Sequence, residues 1–486
     1  MRAEAMEASG AFHVLVVGRD YSQVADLFDR IARRSGYRFS HILHPRYIRD
    51  SRVDSPPRED LHFLRNVLHE SMPAPDTTLL AALEQDGVPT VHNMILGDPV
   101  VSKIDHEMAL RFATFLTRRF TELYQAIRPS VVVGSFDGLH SAIGFAVARQ
   151  LGIPWVALNF SVIPQGMACF CEALTPDSRL QLTSAPGPAS ASAEEFLRRF
   201  EHREVRAYAY IAPKPRSVAG KIAALPRRVG VAMNILRSAR LREHLQLAES
   251  RNLYSLRSTL GFFRRAARAR RAISSFAALR SPPAQPYVLF GLHLQPESSI
   301  DVWAPFFSNQ LWVIELIARS IPPTHRLLVK VHKSDISNYQ RSQLQAMCSW
   351  PGVQIVEPFA DMRSFIERAA LLVSIQGTMG LEGALLGKPV ISLGASPLVA
   401  FPSVSAAGRI TDLPDLIRAK LAAAPPARAE IIAGYAAYLA PFLPASHNDW
   451  SARISDPEIE DYGRLFGELR HYLARASGAP RRAASA

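Results

Sequence analysis

Residues 375–394 read IQGTMGLEGALLGKPVISLG, a run whose residue types and spacing suit the binding of an anion. An apolar strand expected over 370–375 turns through Gly377 and Thr378 into a short helix. That helix stops at Gly387, and Lys388-Pro389 launches a strand over 390–393. A strand, a glycine-containing turn and a helix opening gather unpaired backbone N–H groups and the positive helix end at one point, which favours a phosphate. Gln376, Gly377, Thr378 and Gly380 form the turn and helix start, and Glu382 lies one turn in, where a carboxylate can accept hydrogen bonds from ribose hydroxyls. The chemistry suggested is recognition of a nucleotide or nucleotide sugar. The plainer alternative is an ordinary β–α–β connection, with Thr378 as helix cap and Glu382 favouring the helix start electrostatically.

Three further motifs carry polar groups at strand ends. In GLHLQPESS, His293, Gln295 and Glu297 alternate with Leu294 and Pro296, so an extended loop would place them on one face, suited to holding a sugar or moving a proton. In LLVKVHKSD, Lys330 and His332 share a face of a strand terminus, and cations there suit a diphosphate or nucleoside monophosphate leaving group. In SFDGLH, Asp137 and His140 sit at the equivalent place in the N-terminal half, where Asp137 either serves as general base for an acceptor hydroxyl or caps the following helix. Each motif alone also reads as a solvated turn. Their convergence on strand ends favours a site.

The elements that must position these residues are α/β throughout. In the N-terminal half, strands are expected at 12–17, 130–134 and 153–158, with helices at 22–34 and 105–127, the latter carrying Ile104, Met108, Phe112, Phe115 and Leu123 at helical spacing. In the C-terminal half, short apolar strands at 287–292, 326–331, 353–356, 371–375 and 390–393 alternate with helices at 308–320, 338–347, 362–369 and 378–386. Strands alternating with helices imply parallel, doubly wound sheets whose ligands lie beyond the strands' C-terminal ends. The expected division is an acceptor-side domain over 1–180, a linker and basic helical segment over 181–284, a nucleotide-sugar-binding domain over 285–430, helices over 431–475 and a frayed tail over 476–486.

With 486 residues, the chain has room for two full cores. No run of about 18 uncharged apolar residues appears, and the N-terminus lacks the apolar centre of a signal peptide. Cys169, Cys171 and Cys348 make no disulfide framework and too few ligands for zinc; Cys169 and Cys171 read as buried thiols among apolar neighbours. The expectation is a cytoplasmic protein without a bound metal or cofactor.

The net charge of +13 is concentrated in one segment. Residues 206–280 hold 15 Arg and 2 Lys against Glu243 and Glu249, whereas the remainder is close to neutral. Within that segment Leu253, Leu256, Leu260 and Phe263 share a helical face, followed by Arg264, Arg265, Arg268, Arg270 and Arg271. A basic amphipathic helix fits an anionic membrane surface, a groove for an acidic polymer, or a plain arginine-rich packing helix. No zinc-finger or RNP-type motif accompanies it, so nucleic acid is not expected as a partner.

Over residues 287–394 the segments YVLFGLHLQPESS, HRLLVKVHK and LLVSIQGTMGLEGALLGKPVISLG resemble, in order and spacing, the bacterial capsule polysaccharide biosynthesis proteins, a group of GT-B-type glycosyltransferases. The resemblance implies two Rossmann-like domains facing a central cleft, with the C-terminal domain binding the activated sugar. It implies that Gln295, Pro296, Glu297, Lys330, His332, Thr378 and Glu382 line that cleft, and that transfer proceeds without a bound metal. The donor would be a CMP- or UDP-linked sugar and the acceptor a surface polysaccharide or glycolipid, with Glu297 or Asp137 as base. The family's Lys-Glu-His-Pro segment is replaced here by Lys330-Val331-His332-Lys333. Two other functions fit the pattern: a nucleotide-sugar epimerase, and an inactive polysaccharide-binding or export accessory protein.

Overall fold

The computed structural model describes residues 12–18, 21–43, 60–64, 72–183, 190–205, 268, 271–273, 275–276, 279–332, 340–445 and 455–478. The basic segment's Arg264 and Arg265 lie outside the described residues; Arg268 is helical and exposed.

The N-terminal half is built on β1 (His13–Gly18), α1 (Tyr21–Ser35), β2 (Arg38–Leu43), β3 (Leu61–Phe63), α2 (His106–Ile127), β4 (Val131–Gly134), α3 (Gly138–Gln150), β5 (Trp155–Phe160) and β6 (Met167–Cys171). The apolar strands β1 and β4 are buried on both faces, as central parallel strands require. Val14 stands opposite Phe39 on one side and Val131 on the other. Asp105 caps α2, its carboxylate accepting from the N–H groups of Glu107 and Met108 at 3.0 and 3.3 Å.

After α4 (Ser190–Glu201), the C-terminal half contains β7 (Tyr287–Gly291), α5 (Gln310–Ser320), β8 (Arg326–Lys330), α6 (Arg341–Ser349), β9 (Val353–Val356), α7 (Met362–Arg368), β10 (Leu371–Ser374), α8 (Thr378–Leu385), β11 (Val390–Ser392), β12 (Val404–Ala406), α9 (Leu413–Ala422) and α10 (Arg428–Leu439). Its six strands are parallel in the order β12-β11-β10-β7-β8-β9. The other sheet runs β13-β6-β5-β4-β1-β2-β3, where β13 is Leu443–Pro444 and β6 and β13 are antiparallel. Both halves thus share one winding: the first strand lies in the middle, the next two to one side and the fourth to the other. The expected pair of doubly wound sheets is present, and each has its reversal of strand order beside its first strand.

Two connections depart from the expected division. The chain's last elements return to the first half: β13 pairs with β6, and α11 (Asp456–Gly478) packs Phe466 edge-on against Phe39 and Phe170 at 5.5 and 5.6 Å. Ile459, Tyr462, Leu465, Phe466 and Leu469 recur at helical spacing and are buried, so this helix needed a sheet to cover. Conversely, α4 joins the second half, with Phe196 stacked on Tyr435 at 4.9 Å and Arg428 bridging Glu194 and Glu201. No helix among the described residues is long and apolar enough to cross a membrane. Cys169 and Cys171 are buried in β6, as expected of core thiols.

Candidate functional site

The loops leaving β7 and β10 meet where the second sheet reverses its strand order. His293, two residues beyond β7, presents Nε2 to the backbone of Gln376, two residues beyond β10, contacting its carbonyl oxygen and lying 3.2 Å from its N–H. Burial disfavours the charged imidazole, and His332 nearby adds positive charge, so the His293 pKa falls to about 4 and the ring is neutral. His293 therefore joins two loops as a neutral hydrogen-bonding group.

Gly377 sits beside this ring as the N-cap of α8, at φ +113° and ψ 179°, a backbone region essentially reserved for glycine. A Cβ at this position would approach His293 Nε2 at 3.3 Å. Gly377 is exposed and Thr378 half-buried, and no side chain caps the helix among the described residues. Among the described residues the first-turn N–H groups of α8 therefore have no side-chain cap, a helix start suited to accepting a phosphate. The alternative in which Thr378 caps the helix is not what forms: Thr378 is its first residue.

Several expected donor ligands lie deeper. Gln376 is buried, and its amide donates to the Ala395 carbonyl. Gly380 is packed beneath Leu398, whose Cδ1 would lie 3.0 Å from an added Cβ. Glu382 is only 3% exposed, so the ribose contact expected of it is not open at the crevice surface. Lys330 is likewise buried, and its ammonium donates to the Pro358 carbonyl. It holds the β8 and β9 loops together, in place of the expected role opposite a leaving phosphate. His332 remains half-exposed; Lys333 lies outside the described residues.

The His293–Glu297 loop also differs from an extended strip with one polar face. Gln310, in the first turn of α5, accepts from the His293 N–H at 2.7 Å and donates to the His293 carbonyl at 3.1 Å and to Gln295 Oε1 at 2.8 Å. Gln295 in turn donates to Asp301 at 2.8 Å, and the Glu297 N–H donates to the same carboxylate at 3.1 Å. Gln295 thus shapes the loop, and Glu297 is left exposed, with one oxygen accepting from Ser299 at 2.8 Å. Lost hydration is the largest influence on Glu297; the charges of Asp137 and Asp301 add to it and together outweigh the Ser299 bond, so the carboxyl lies above the usual range.

This loop reaches the first half of the molecule. The Ser298 hydroxyl donates to the Asp137 carboxylate at the C-terminal end of β4. Trp303 meets Phe136 edge-on at 5.2 Å, and Val302 and Trp303 pack against the N-terminal core. The two expected bases, Glu297 and Asp137, are therefore brought together across the cleft. The alternative in which Asp137 caps its own helix does not occur: it occupies the N-cap of α3 with no side-chain hydrogen bond to that helix. Asp98 accepts from the Leu139 N–H instead, at 2.8 Å. His140 is buried, with Nε2 3.2 Å from the Ser141 hydroxyl, so it offers little to an acceptor.

Asp98, Ser298, Asp301, Trp303 and Gln310 were not singled out from sequence. Ser298 lies within the GLHLQPESS motif and Asp301 two residues beyond it; the other roles depend on partners distant in the chain. Among the described residues no grouping of His, Cys, Asp and Glu could hold a metal ion.

Residues 231–412 match the family described as capsule polysaccharide biosynthesis protein, a span that encloses the resembling stretch 287–394. No curated protein matches the chain. Solved structures similar to it include UDP-GlcNAc 2-epimerase from Methanocaldococcus jannaschii, at 12% identity over 88% of this chain and 97% of that one, TM-score 0.26. MnaA from S. aureus with UDP aligns at 10% identity over 97% and 99%, TM-score 0.31. KpsC from Thermosulfurimonas dismutans, a β-Kdo 2,7 transferase, aligns at 11% identity over 73% and 90%, TM-score 0.31. At these scores no detail of the site is carried over from them.

Proposed function

Starting from the match of residues 231–412 to the capsule polysaccharide biosynthesis family, we propose that the chain is a GT-B-type glycosyltransferase acting in capsule or surface polysaccharide assembly. The observation that carries this reading is the meeting of His293 with Gln376 and Gly377 at the second sheet's reversal point, directly linked through Ser298 to Asp137 of the first. One face of the cleft offers uncapped helix N–H groups for an activated sugar's phosphate, and both faces supply a carboxylate for an acceptor.

In this reading the nucleotide sugar, CMP- or UDP-linked, places its phosphate at Gly377 and Thr378. Glu297 removes the proton of the acceptor hydroxyl, whose oxygen attacks the anomeric carbon as the bond to the phosphate oxygen breaks. The raised pKa of Glu297 suits a base that must hold a proton during transfer. The leaving phosphate is met by the α8 N-terminus, with no metal required. Asp137 orients the acceptor through Ser298.

Calorimetric titration with UDP and with CMP tests donor binding, and the proposal fails if neither binds. Consumption of a nucleotide sugar without any acceptor would instead indicate an epimerase. The +15 charge of residues 206–280 supports docking to an anionic membrane from the cytoplasmic side, where a lipid-linked acceptor would be met. Replacing Arg264, Arg265, Arg268, Arg270 and Arg271 should abolish sedimentation with anionic liposomes; unchanged pelleting rules that docking out.

A further inference from the structure

Asp98 is a buried carboxylate that neither the family resemblance nor the proposed transfer step uses. Its Oδ1 accepts from the N–H groups of Val100 and Val101, both at 2.8 Å, and its Oδ2 accepts from the Leu139 N–H at 2.8 Å. It is 6% exposed. The Leu139 bond spans 41 residues and satisfies one of the orphan donors in the first turn of α3. The side chain placed by the chain to do so is that of Asp137, the N-cap residue, yet Asp137 makes no such bond. Its carboxylate instead receives the Ser298 hydroxyl from across the cleft. Directly before Asp98, Gly97 abuts the same inter-domain loop: a Cβ there would lie 3.0 Å from the Asp301 carbonyl oxygen and 3.4 Å from Val302 Cγ2.

We infer that Asp98 is a positioning residue: it caps α3 from a distance and thereby frees the Asp137 carboxylate to face the cleft. A helix start presents only a few orphan N–H groups, and an Asp at the N-cap is among the strongest competitors for them. With Leu139 already bonded to Asp98, folding Asp137 back gains little, so its carboxylate stays turned towards Ser298. The same carboxylate fixes residues 97–101, which set the floor against which Asp301 rests. The inference deepens the cleft reading given above, on which its catalytic meaning rests, but its structural core needs no substrate.

The test is a double-mutant cycle with Asp98→Ala, Asp137→Ala and the pair, read by chemical denaturation. Asp137 takes over the cap when Asp98 is removed, so the double variant should lose more stability than the two single losses combined. Additive losses overturn the inference. A crystal structure of Asp98→Ala should show the Asp137 carboxylate within hydrogen-bond distance of the Leu139 N–H, and an unmoved Asp137 overturns it equally. If Asp98→Ala does not fold, Asp98→Asn, which keeps one acceptor, serves in its place. For turnover, Asp98→Ala should lower kcat on the order of 10- to 100-fold while leaving the donor KM unchanged, because the donor side lies on the other sheet. A wild-type protein that binds no nucleotide defeats the transferase reading and leaves the stability cycle and the structure to decide the role of Asp98.

Discussion

The hydroxyl of Ser298 donates to the carboxylate of Asp137, joining a loop that leaves the first strand of the second sheet to the end of the fourth strand of the first. The two residues are 161 positions apart, and each sits beside the reversal point of its own sheet. Crevices of this kind form because the loops on either side of a reversal diverge above and below the sheet. Here a direct hydrogen bond joins the two sheet edges, and the proposed transfer from donor to acceptor rests on that link.

Gly377→Ala tests the donor side. At φ +113° and ψ 179° an alanine is strained, and strain of this type costs about 1–3 kcal/mol. Its methyl would also press on His293 Nε2. We expect a lower denaturation midpoint and at least a tenfold weaker calorimetric affinity for the nucleotide, a loss of ~1.4 kcal/mol. Full binding with intact stability would remove the turn from the site.

Much of this framework was legible beforehand. The central strands announce themselves as apolar runs closed by Gly, Pro or a charged residue, and the turn at Gly377 is readable because strand, glycine and helix follow in direct succession. β2 was harder to see: RFSHIL interleaves Ser40 and His41, buried polar residues, with its apolar positions. β13 is two residues long and exists only because β6 offers it an edge. The roles of Gln310 and Asp98 rest on hydrogen bonds to residues 17 and 41 positions away, and neither composition nor periodicity encodes such a distance. Lys330 misled for a related reason: a cation at a strand end looks solvent-facing until the neighbouring loop closes over it and supplies the Pro358 carbonyl.

Lys330→Met separates structure from donor binding. Removing the ammonium leaves a buried carbonyl without this partner, at a cost of about 1–3 kcal/mol in stability. Nucleotide affinity should change less than in Gly377→Ala. Calorimetry on both variants decides, and a selective loss of binding in Lys330→Met would restore that lysine to the donor site.

Glu297 should impose the acidic limb of the pH–rate profile. A general base acts when deprotonated, so kcat/KM should rise with pH through its pKa. Lost hydration around the carboxyl and the charges of Asp137 and Asp301 hold that pKa above the ordinary glutamate range, so the limb should sit correspondingly higher. Glu297→Gln should abolish the limb together with most of the rate, by 10²- to 10⁴-fold or roughly that order. Asp137→Asn should lower the limb by removing one of the two neighbouring negative charges.

His293 links stability to pH on the acid side of neutrality. Its folded pKa is depressed to about 4 from 6.5, so the folded state holds the neutral ring where the unfolded chain binds a proton. Its contribution is therefore complete above pH 6.5 and is lost as pH falls towards 4, at up to about 1.4 kcal/mol per pH unit within that window. His13, depressed to about 4 mainly by its own burial, acts in the same interval, so the wild-type slope alone is ambiguous. The informative quantity is the difference between wild type and His293→Gln in denaturation measured at intervals from pH 7 to pH 4. The glutamine can still bond the Gln376 backbone but does not titrate, so the variant should lose stability less steeply on acidification. Parallel curves would show that the ring is solvated and carries a proton in the folded protein, which is incompatible with His293 lying neutral between the two loops.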